Sequence, residues 1–420
     1  MKKKSNVLAI IVMIFLFGMI SFVTNLASPM GDVLKYQFDV ANWMGTLGVF
    51  ANFIAYAFMG IPAGYLLQKL GYKKMALLAV AVGFIGVGIQ TISGHVGSFG
   101  VYLTGAFVAG FSMCMLNIVV NPMLNSLGGG GNKGNQLIQL GGSFNSLMGT
   151  AVIILTGVLI PNGIKNAVIS DVFPLMYAAL AIFAFAFVVI LLTDIPEQEK
   201  TVEVSKDEKV RGPLSYRHFV FGAIAIFFYV GVEVGVPNVL QKWLQSGILN
   251  TPSAEAIAGS VAGTYWFMML IGRLLGVGVA SKFSAKNMLT VASAAAVLLI
   301  LGAIFTNSTI SVPLPVFEGA QGFAIASVPL NAALLVFVGL FTSVMWGSIF
   351  NLAVEGLGKA TEQASGIFMA LVCGGGIVPL IQNAVIDVTN DYLASYWVLI
   401  VAAVYILWYA VSGSKVKTAK

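Results

Sequence analysis

The sequence predicts an all-α integral membrane protein with twelve transmembrane helices in two pseudo-symmetric six-helix bundles. Three observations support this fold class. Of the 420 residues, 58% are hydrophobic and only 9% are charged, apolar segments recur along the whole chain, and short patterns of the first half return in the second. A soluble protein needs a far more charged surface than this composition provides. The chain is therefore expected to lie in a lipid bilayer.

Twelve apolar segments are long enough to span the bilayer, because a helix rises about 1.5 Å per residue and the hydrocarbon core is about 30 Å thick. They lie near residues 6–29, 43–67, 75–94, 99–124, 136–160, 173–193, 219–243, 256–281, 287–306, 329–353, 363–387 and 392–413. The first of them is too long for the apolar core of a cleavable signal peptide. We therefore expect it to be retained. The segment Thr306–Pro329 is expected to form a partly ordered cap on the outer face.

The net charge of +6 is a topology signal. If the N-terminus is cytoplasmic, the loops and ends on that side hold every Lys and Arg except Lys35, Lys165 and Lys242, and Arg273 inside a span. This is the distribution of the positive-inside rule, and it predicts that both termini are cytoplasmic. No nucleic-acid partner is expected.

The longest polar stretch divides six predicted spans from six. It extends from Asp194 to Arg217 and has the mixed charge of a linker. The predicted organisation is a first bundle at 1–193, a cytoplasmic linker at 194–217 and a second bundle at 218–420.

One repeated pattern points to the middle of the membrane. Asn25 stands four residues before Pro29, and Glu233 stands four residues before Pro237. Because proline has no N–H, the carbonyl four residues earlier loses its helical partner. Such a carbonyl is tolerated in a bilayer where it faces protein or a wet cavity, as at the mid-depth sites of duplicated transporters. The pattern predicts a break in both helices and a binding site between the halves.

Ionisable residues inside the spans are few, and each is a candidate functional residue. Glu233 lies about halfway along its span, where it can bind a substrate, titrate with a coupling ion or serve as a structural partner for free backbone groups. Arg273 and Glu355 are both placed toward the inner end, which predicts an ion pair that gates the cytoplasmic side; snorkelling of Arg273 is the alternative. Lys69 and Lys282 lie in two short loops of similar sequence, one in each half of the chain, and are assigned to the same gate.

Amide side chains and tryptophans within the spans form the remaining candidates. An amide offers a donor and an acceptor, which suits neighbouring hydroxyl groups, and an aromatic face packs on the C–H face of a sugar ring. The alternative for each amide is a hydrogen bond between helices. The candidate substrate-binding residues are Asn25, Asn117, Asn121, Gln139, Asn145, Glu233, Asn238, Gln241, Trp266, Trp346 and Asn351.

Enzymatic chemistry is not expected. Cys114 and Cys373 both lie in apolar segments and indicate neither a disulfide nor a metal site. His95 and His218 lie at span ends. The glycine-rich run before Lys133 follows no strand and lacks the Gly-Lys-Ser/Thr sequence of a phosphate-binding loop. No cofactor is predicted.

The loop from Gly64 to Lys74 resembles the signature of the major facilitator superfamily. Asn121-Pro122, then Leu127-Gly128, then Ser143-Phe144-Asn145-Ser146 resemble the motif series of its fucose/glucose/galactose proton symporter family. Further matches are Tyr229 to Glu233, Ile271-Gly272-Arg273, Gly356-Leu357-Gly358, and Gly374 to Pro379. The resemblance implies alternating access of a central cavity to a hexose or related sugar, usually with proton symport.

The chain departs from that family where protons are carried. Asn25 and Asn117 stand where members that move protons have acids, and Gly142 stands where many have glutamine. Glu233 is therefore the coupling candidate. The expected protein is a monomeric importer of a monosaccharide, coupled to H⁺ or Na⁺, embedded in the lipid of a bacterial inner membrane. The alternatives are a facilitative uniporter, an exporter of drugs or metabolites, and a sugar sensor that does not transport.

Overall fold

The structure is a computed structural model that describes residues 2–37, 47–159, 167–197, 212–249, 254–317 and 323–416. The first bundle contains α1 (Lys2–Gln37), α2 (Leu47–Val96), α3 (Phe99–Leu127), α4 (Gly131–Leu159) and α5 (Phe173–Leu192). The second contains α6 (Arg217–Trp243), α7 (Ala254–Ala280), α8 (Ala285–Phe305), α9 (Leu330–Thr342), α10 (Met345–Val354), α11 (Thr361–Ala370), α12 (Gly374–Thr389) and α13 (Tyr396–Trp408). Strands β1 (Ser311–Phe317) and β2 (Phe323–Pro329) lie between α8 and α9.

These helices provide the twelve predicted crossings. Ten helical segments of the described residues are long and apolar enough to cross a membrane. One of them, α2, has 50 residues, which is about 75 Å of helix and enough for two crossings. The 29 residues of α4 are long enough for another. The predicted all-α membrane fold is confirmed. Residues 198–211 of the predicted linker lie outside the described residues.

The two crossings of α2 meet at a sharp turn rather than a loop. Gly71 has φ 77° and ψ 174°, a conformation that is open to glycine and strained for residues with a Cβ. Glu197, which follows α5, holds this turn: its carboxylate accepts the N–H groups of Tyr72 at 2.7 Å and Lys73 at 3.1 Å. Lys73 in turn donates from Nζ to the carbonyl of Leu191 at 3.0 Å. The end of the first bundle is thereby tied to the turn between its second and third crossings.

The predicted breaks at the two proline patterns are wrong. Helices α1 and α6 continue through residue 29 and through Pro237, because a proline inside a well-packed helix removes one backbone hydrogen bond without ending the helix. The tenth and eleventh spans are interrupted instead. The tenth is divided at Ser343–Val344, between α9 and α10, and the eleventh at a single 3₁₀ turn, Leu371–Cys373.

The segment expected as a cap contains a β-hairpin, which is the exception to the all-α pattern. Strands β1 and β2 pair antiparallel, with Leu314 opposite Ala326 and Val312 opposite Val328. Side chains alternate across a ribbon, and here one face is buried, including Leu314, Val316 and Ala326. The hairpin packs against α7 and α9. The alternation of buried and exposed residues in the two strands explains why they pack on these helices.

The two bundles meet mainly through α4 against α7 and α2 against α11. In the contact of α2 with α11, glycines allow the two helices to approach closely. A Cβ on Gly60 would lie 2.5 Å from the backbone nitrogen of Ala370 and 2.7 Å from the carbonyl oxygen of Gly366, so only glycine permits this approach. The residues that project from α4 and α7 toward each other form the candidate site.

Candidate functional site

The central feature is a buried ion pair between α6 and α7. Arg273 Nη2 lies 3.2 Å from Glu233 Oε1, and the two side chains are 8% and 14% exposed. The predicted pairing of Arg273 with Glu355 is therefore wrong. Glu355 is exposed beyond the end of α10, and its carbonyl contacts His218 Nε2 at 2.9 Å. Packing of α7 against α4 and α6 points the long Arg273 side chain into the protein rather than toward a membrane surface.

Arg273 also joins the two bundles. Its Nη1 donates to the carbonyl of Gly142 at 2.7 Å and to Asn145 Oδ1 at 3.0 Å, both on α4. Asn145 is oriented by its own donation from Nδ2 to the carbonyl of Phe17 at 2.8 Å. The absence of a side chain at Gly142 makes room for this contact, since a Cβ there would lie 3.3 Å from Arg273 Cδ.

The break in the tenth span supplies acceptors to the same centre. Arg273 Nε donates to the carbonyl of Ser343 at 3.3 Å, and Gln139 Nε2 donates to the carbonyl of Val344 at 2.9 Å. Carbonyls at a helix end lack intrahelical partners and are satisfied by side chains. The use of freed carbonyls in a central site was predicted, but they belong to Ser343 and Val344 instead of the residues that precede the prolines.

A second polar chain links the bundles beside the ion pair. Trp346 Nε1, at the start of α10, donates to Asn121 Oδ1 at 2.9 Å. Asn121 Nδ2 donates to the carbonyl and Oδ1 of Asn117 at 2.9 and 3.2 Å. Asn117 Nδ2 donates to Tyr56 Oη at 3.1 Å and to the carbonyl of Met113 at 3.0 Å. Three predicted residues, Asn117, Asn121 and Trp346, are thereby brought together.

The Trp346 ring is surrounded by other aromatic residues. The rings of Tyr229 and Phe368 each lie with their centroids 6.2 Å away in edge-to-face geometry. Tyr229 is also one helical turn before Glu233. Trp346 itself is partly exposed, whereas Tyr229, Phe368 and Asn121 are fully buried. The indole is therefore the exposed part of this group.

Three further amides bond across the bundles, and we call these three contacts the closing bonds. Gln139 donates to Val344 as described above, Gln136 Nε2 donates to the carbonyl of Val277 at 3.3 Å, and Asn351 Nδ2 donates to the carbonyl of Gly131 at 2.9 Å. Gln139 and Asn351 were predicted to bind substrate. In this structure their amide donors are used between the bundles.

The other predicted residues have no described contact with the ion pair. Asn25 donates to the carbonyl and Oγ of Ser21, both at 2.9 Å, within its own helix. Asn238 and Gln241 are half-buried on α6, and Trp266 packs its ring edge-to-face on Tyr265. The two lysines assigned to the gate, Lys69 and Lys282, are exposed.

Sequence reasoning missed several partners of the central residues. Tyr56 and Gln136 are ordinary residues of apolar segments, and their contacts depend on which helix faces meet. Tyr229 had a usable signal, because it is polar and stands one turn before Glu233 in a recognised motif. Among the described residues, no group of three or more His, Cys, Asp or Glu side chains could hold a metal ion.

These features define a class of protein. Many membrane-spanning helices in two bundles, with a buried charged centre bonded to both, are typical of a membrane transporter. The model of the Major Facilitator Superfamily matches residues 8–380. This chain belongs to the Major Facilitator Superfamily. The prediction of a transporter rather than an enzyme is confirmed.

Relatives from bacteria support the family predicted from the motifs. A glucose/galactose transporter from Brucella abortus biovar 1 is 30% identical over 411 residues, which cover 95% of this chain and 92% of the relative. The L-fucose-proton symporter of Escherichia coli is 23% identical and covers 88% of this chain and 86% of its own length. A crystal structure of the transporter FucP in the outward conformation superposes with a TM-score of 0.79 at 20% identity, covering 97% of this chain and 98% of that chain.

Proposed function

We propose that this protein is a secondary active transporter that imports a monosaccharide by alternating access. The observation that carries the proposal is the bonding of one buried arginine to both bundles. Arg273 belongs to the second bundle and bonds Gly142 and Asn145 of the first. A substrate that competes for these donors and acceptors changes the contact between the bundles, as alternating access requires.

Sugar is the substrate class that suits the site chemistry. The centre combines a carboxylate, a guanidinium and an amide with the partly exposed Trp346 ring. Hydroxyl groups donate to Glu233 and accept from Arg273, while the indole packs on the C–H face of a sugar ring. The printed functions of the Brucella and Escherichia coli relatives support the same class. A hexose or deoxyhexose is the first substrate to test.

Cation coupling is assigned to Glu233. Among the described residues, Glu233 is the acid that is buried at the centre and paired with Arg273. Asn25 and Asn117, which stand where the family resemblance implies acids, cannot titrate. Protonation of Glu233 weakens its attraction for Arg273 and frees the arginine for a different partner. H⁺ is the leading ion, with Na⁺ and uncoupled transport as the competing outcomes.

The membrane placement follows from the charges of the loops. We place both termini in the cytoplasm of a bacterium, with a monomeric, lipid-embedded protein in the inner membrane and bundles at 1–193 and 218–420 joined by a linker at 194–217. The ends that carry Lys133 and Lys282 then face the cytoplasm. The closing bonds lie toward these ends, so the structure corresponds to an inward-closed state.

Uptake into proteoliposomes tests the proposal. Purified protein is reconstituted, and labelled glucose, galactose, fucose and N-acetylglucosamine are supplied with a proton gradient, a sodium gradient or neither. Accumulation above equilibrium under a proton gradient is expected for at least one sugar. Accumulation only with sodium moves the coupling role to Na⁺, and equilibration alone indicates a uniporter. No uptake or counterflow of any sugar, from protein shown to be folded, would contradict the proposed function.

A further inference from the structure

The hydrogen bond between Trp346 and Asn121 joins a residue of the second bundle to one of the first. Trp346 is the second residue of α10, which begins after the break at Ser343–Val344, and Asn121 lies within α3. Their 2.9 Å contact is a good N–H···O hydrogen bond. It cannot survive a separation of α3 from α10 by more than about 1 Å. Its state therefore depends on how closely the bundles approach.

The donor capacity of the two asparagines is already used. Asn117 Nδ2 donates to Tyr56 and Met113, and Asn121 Nδ2 donates to two oxygens of Asn117. An amide nitrogen carries two hydrogens, so neither side chain has a free donor for a substrate. Asn117 is 4% exposed and Asn121 is fully buried, which also keeps a sugar away from them.

The same bonds fix the direction of the Asn121 amide. Because Nδ2 is held by Asn117, Oδ1 is turned toward Trp346. Tyr56 and Asn117 thus act through Asn121 to hold the indole in one orientation, with its partly exposed ring beside Tyr229 and Phe368. A ring held on three sides presents a defined face.

We propose that the Trp346–Asn121 bond is an interbundle latch, in which Asn117 and Asn121 are positioning residues that tie the orientation of the sugar-facing indole to the closed state. The latch rests on the proposed function in its assignment of a sugar ligand. It assigns Asn117 and Asn121 a role other than direct sugar binding. When the two bundles separate where the closing bonds join them, the Trp346–Asn121 bond breaks and the indole is free to turn. Sugar release and separation of the bundles therefore occur together.

Trp346→Phe tests the latch, because phenylalanine keeps an aromatic face and loses the N–H donor. Trp266→Phe is the matched control, since the Trp266 indole makes no hydrogen bond with the described residues and is also half-buried.

Spin labels at cysteines replacing Lys133 and Lys282, both exposed, report the separation of the α4 and α7 ends by pulsed EPR. Cys373 is replaced by serine, and the buried Cys114 is left in place. Binding of the transported hexose is measured on the same variants by calorimetry.

In Trp346→Phe, the ratio of molecules with separated α4 and α7 ends to molecules with closed ends is expected to rise about fivefold, as the loss of one hydrogen bond predicts. Hexose binding is expected to weaken in Trp346→Phe, because the ring that faces the sugar is no longer held in one orientation. Trp266→Phe should match the wild type in the distance measurement. Asn121→Leu removes the same interbundle bond, whereas its two bonds to Asn117 lie within α3. It should therefore give the same shift, and the double variant should show no further change. An unchanged distance distribution in Trp346→Phe, or additive effects in the double variant, would overturn the latch. Absence of hexose binding by the wild type would contradict the proposed function, and the distance measurement would still decide on the latch.

Discussion

At the scale of single residues, one arginine organises the centre. Arg273 has bonds to Glu233, Asn145 and the carbonyls of Gly142 and Ser343. A guanidinium presents five donors in a fixed plane, which lets one side chain bond several acceptors at once. Burial of the charge is compensated by the carboxylate and by these dipoles. The centre is therefore sensitive to the loss of any one partner.

Glu233→Gln is expected to be the most damaging neutral replacement at this scale. It leaves the Arg273 charge buried with neutral acceptors, at a cost on the order of 3 kcal/mol. The expected result is a lower thermal unfolding midpoint, hexose binding weakened at least tenfold and loss of gradient-driven accumulation. Calorimetry and uptake measure these effects.

Glu355→Gln is the matched control for this prediction. It makes the same chemical change at an exposed acid whose carbonyl, rather than its carboxylate, makes the described contact. Stability, binding and uptake should remain at wild-type levels. A folded Glu233→Gln protein that binds and accumulates sugar like the wild type would remove Glu233 from the mechanism.

Sequence reasoning identified both members of the ion pair but paired them incorrectly. Glu233 and Arg273 are visible because a charge in an apolar span is costly and needs a function. Their partners depend on which helix faces meet, and no local pattern encodes this. Counting along a span also placed Arg273 near Glu355, whereas the packing of α7 turns its side chain to Glu233.

At the scale of secondary structure, breaks and turns position the functional groups. The tenth span breaks at Ser343–Val344, and the two carbonyls there accept from Arg273 and Gln139. No proline or glycine stands between Leu340 and Trp346. The break therefore has no proline or glycine signal at its own position, which explains why the sequence pattern predicted the spans correctly and the breaks at the wrong helices.

Gly71→Ala is predicted to disrupt the turn inside α2. A Cβ at φ 77° is strained, and it would also contact the carboxylate of Glu197. The expected loss of stability is about 1–3 kcal/mol, read as a lower thermal midpoint and a lower yield of monodisperse protein.

Gly88→Ala provides the control in the same helix. It has an ordinary helical conformation and nothing within 4 Å of the added methyl group, so it should be neutral or slightly stabilising. Equal midpoints for the two alanine variants would show that the Gly71 turn and its Glu197 contact contribute little to stability.

At the scale of the whole molecule, the bundles are held together by neutral groups as well as by the charged centre. The closing bonds join amide side chains to backbone carbonyls, with α4 contributing both glutamines. Hydrogen bonds between transmembrane helices contribute about 0.6 kcal/mol each. Contacts of this strength allow the bundles to separate on the time scale of transport.

Gln139→Met is expected to shift the protein toward the state in which the labelled ends of α4 and α7 are separated. Methionine keeps the length of the side chain but cannot donate to Val344, so the ratio of separated to closed ends should rise about threefold to fivefold. The label pair at positions 133 and 282 measures this ratio.

Asn331→Leu separates a shift in conformation from a loss of stability. Asn331 is fully buried and donates to the carbonyls of Ala303 and Thr306 within the second bundle, at 2.7 and 2.8 Å. Its replacement should lower the thermal midpoint and leave the ratio of separated to closed ends unchanged. An equal change of the ratio in both variants would mean that Gln139 acts through stability alone.

The sequence could not separate amides that face a substrate from amides that join helices. Asn145, Gln139 and Asn351 all bond across the bundles, Asn145 to the Arg273 side chain and the other two to backbone carbonyls. All three are polar residues in apolar segments, and their roles differ only in what the opposite bundle places before them. Composition, the number of spans and the family motifs can be predicted without that information, because each is read from one segment at a time.

Alternating access at the end that carries Lys133 and Lys282 can be measured as the distance between spin labels at these two positions in otherwise wild-type protein. The protein is reconstituted in nanodiscs and measured by pulsed EPR with and without the transported hexose at two pH values. We expect two populations, a short distance that corresponds to this structure and a longer one, with a ratio that changes when hexose is added. A single short distance under every condition, in protein that binds hexose, would contradict alternating access at this end of the molecule.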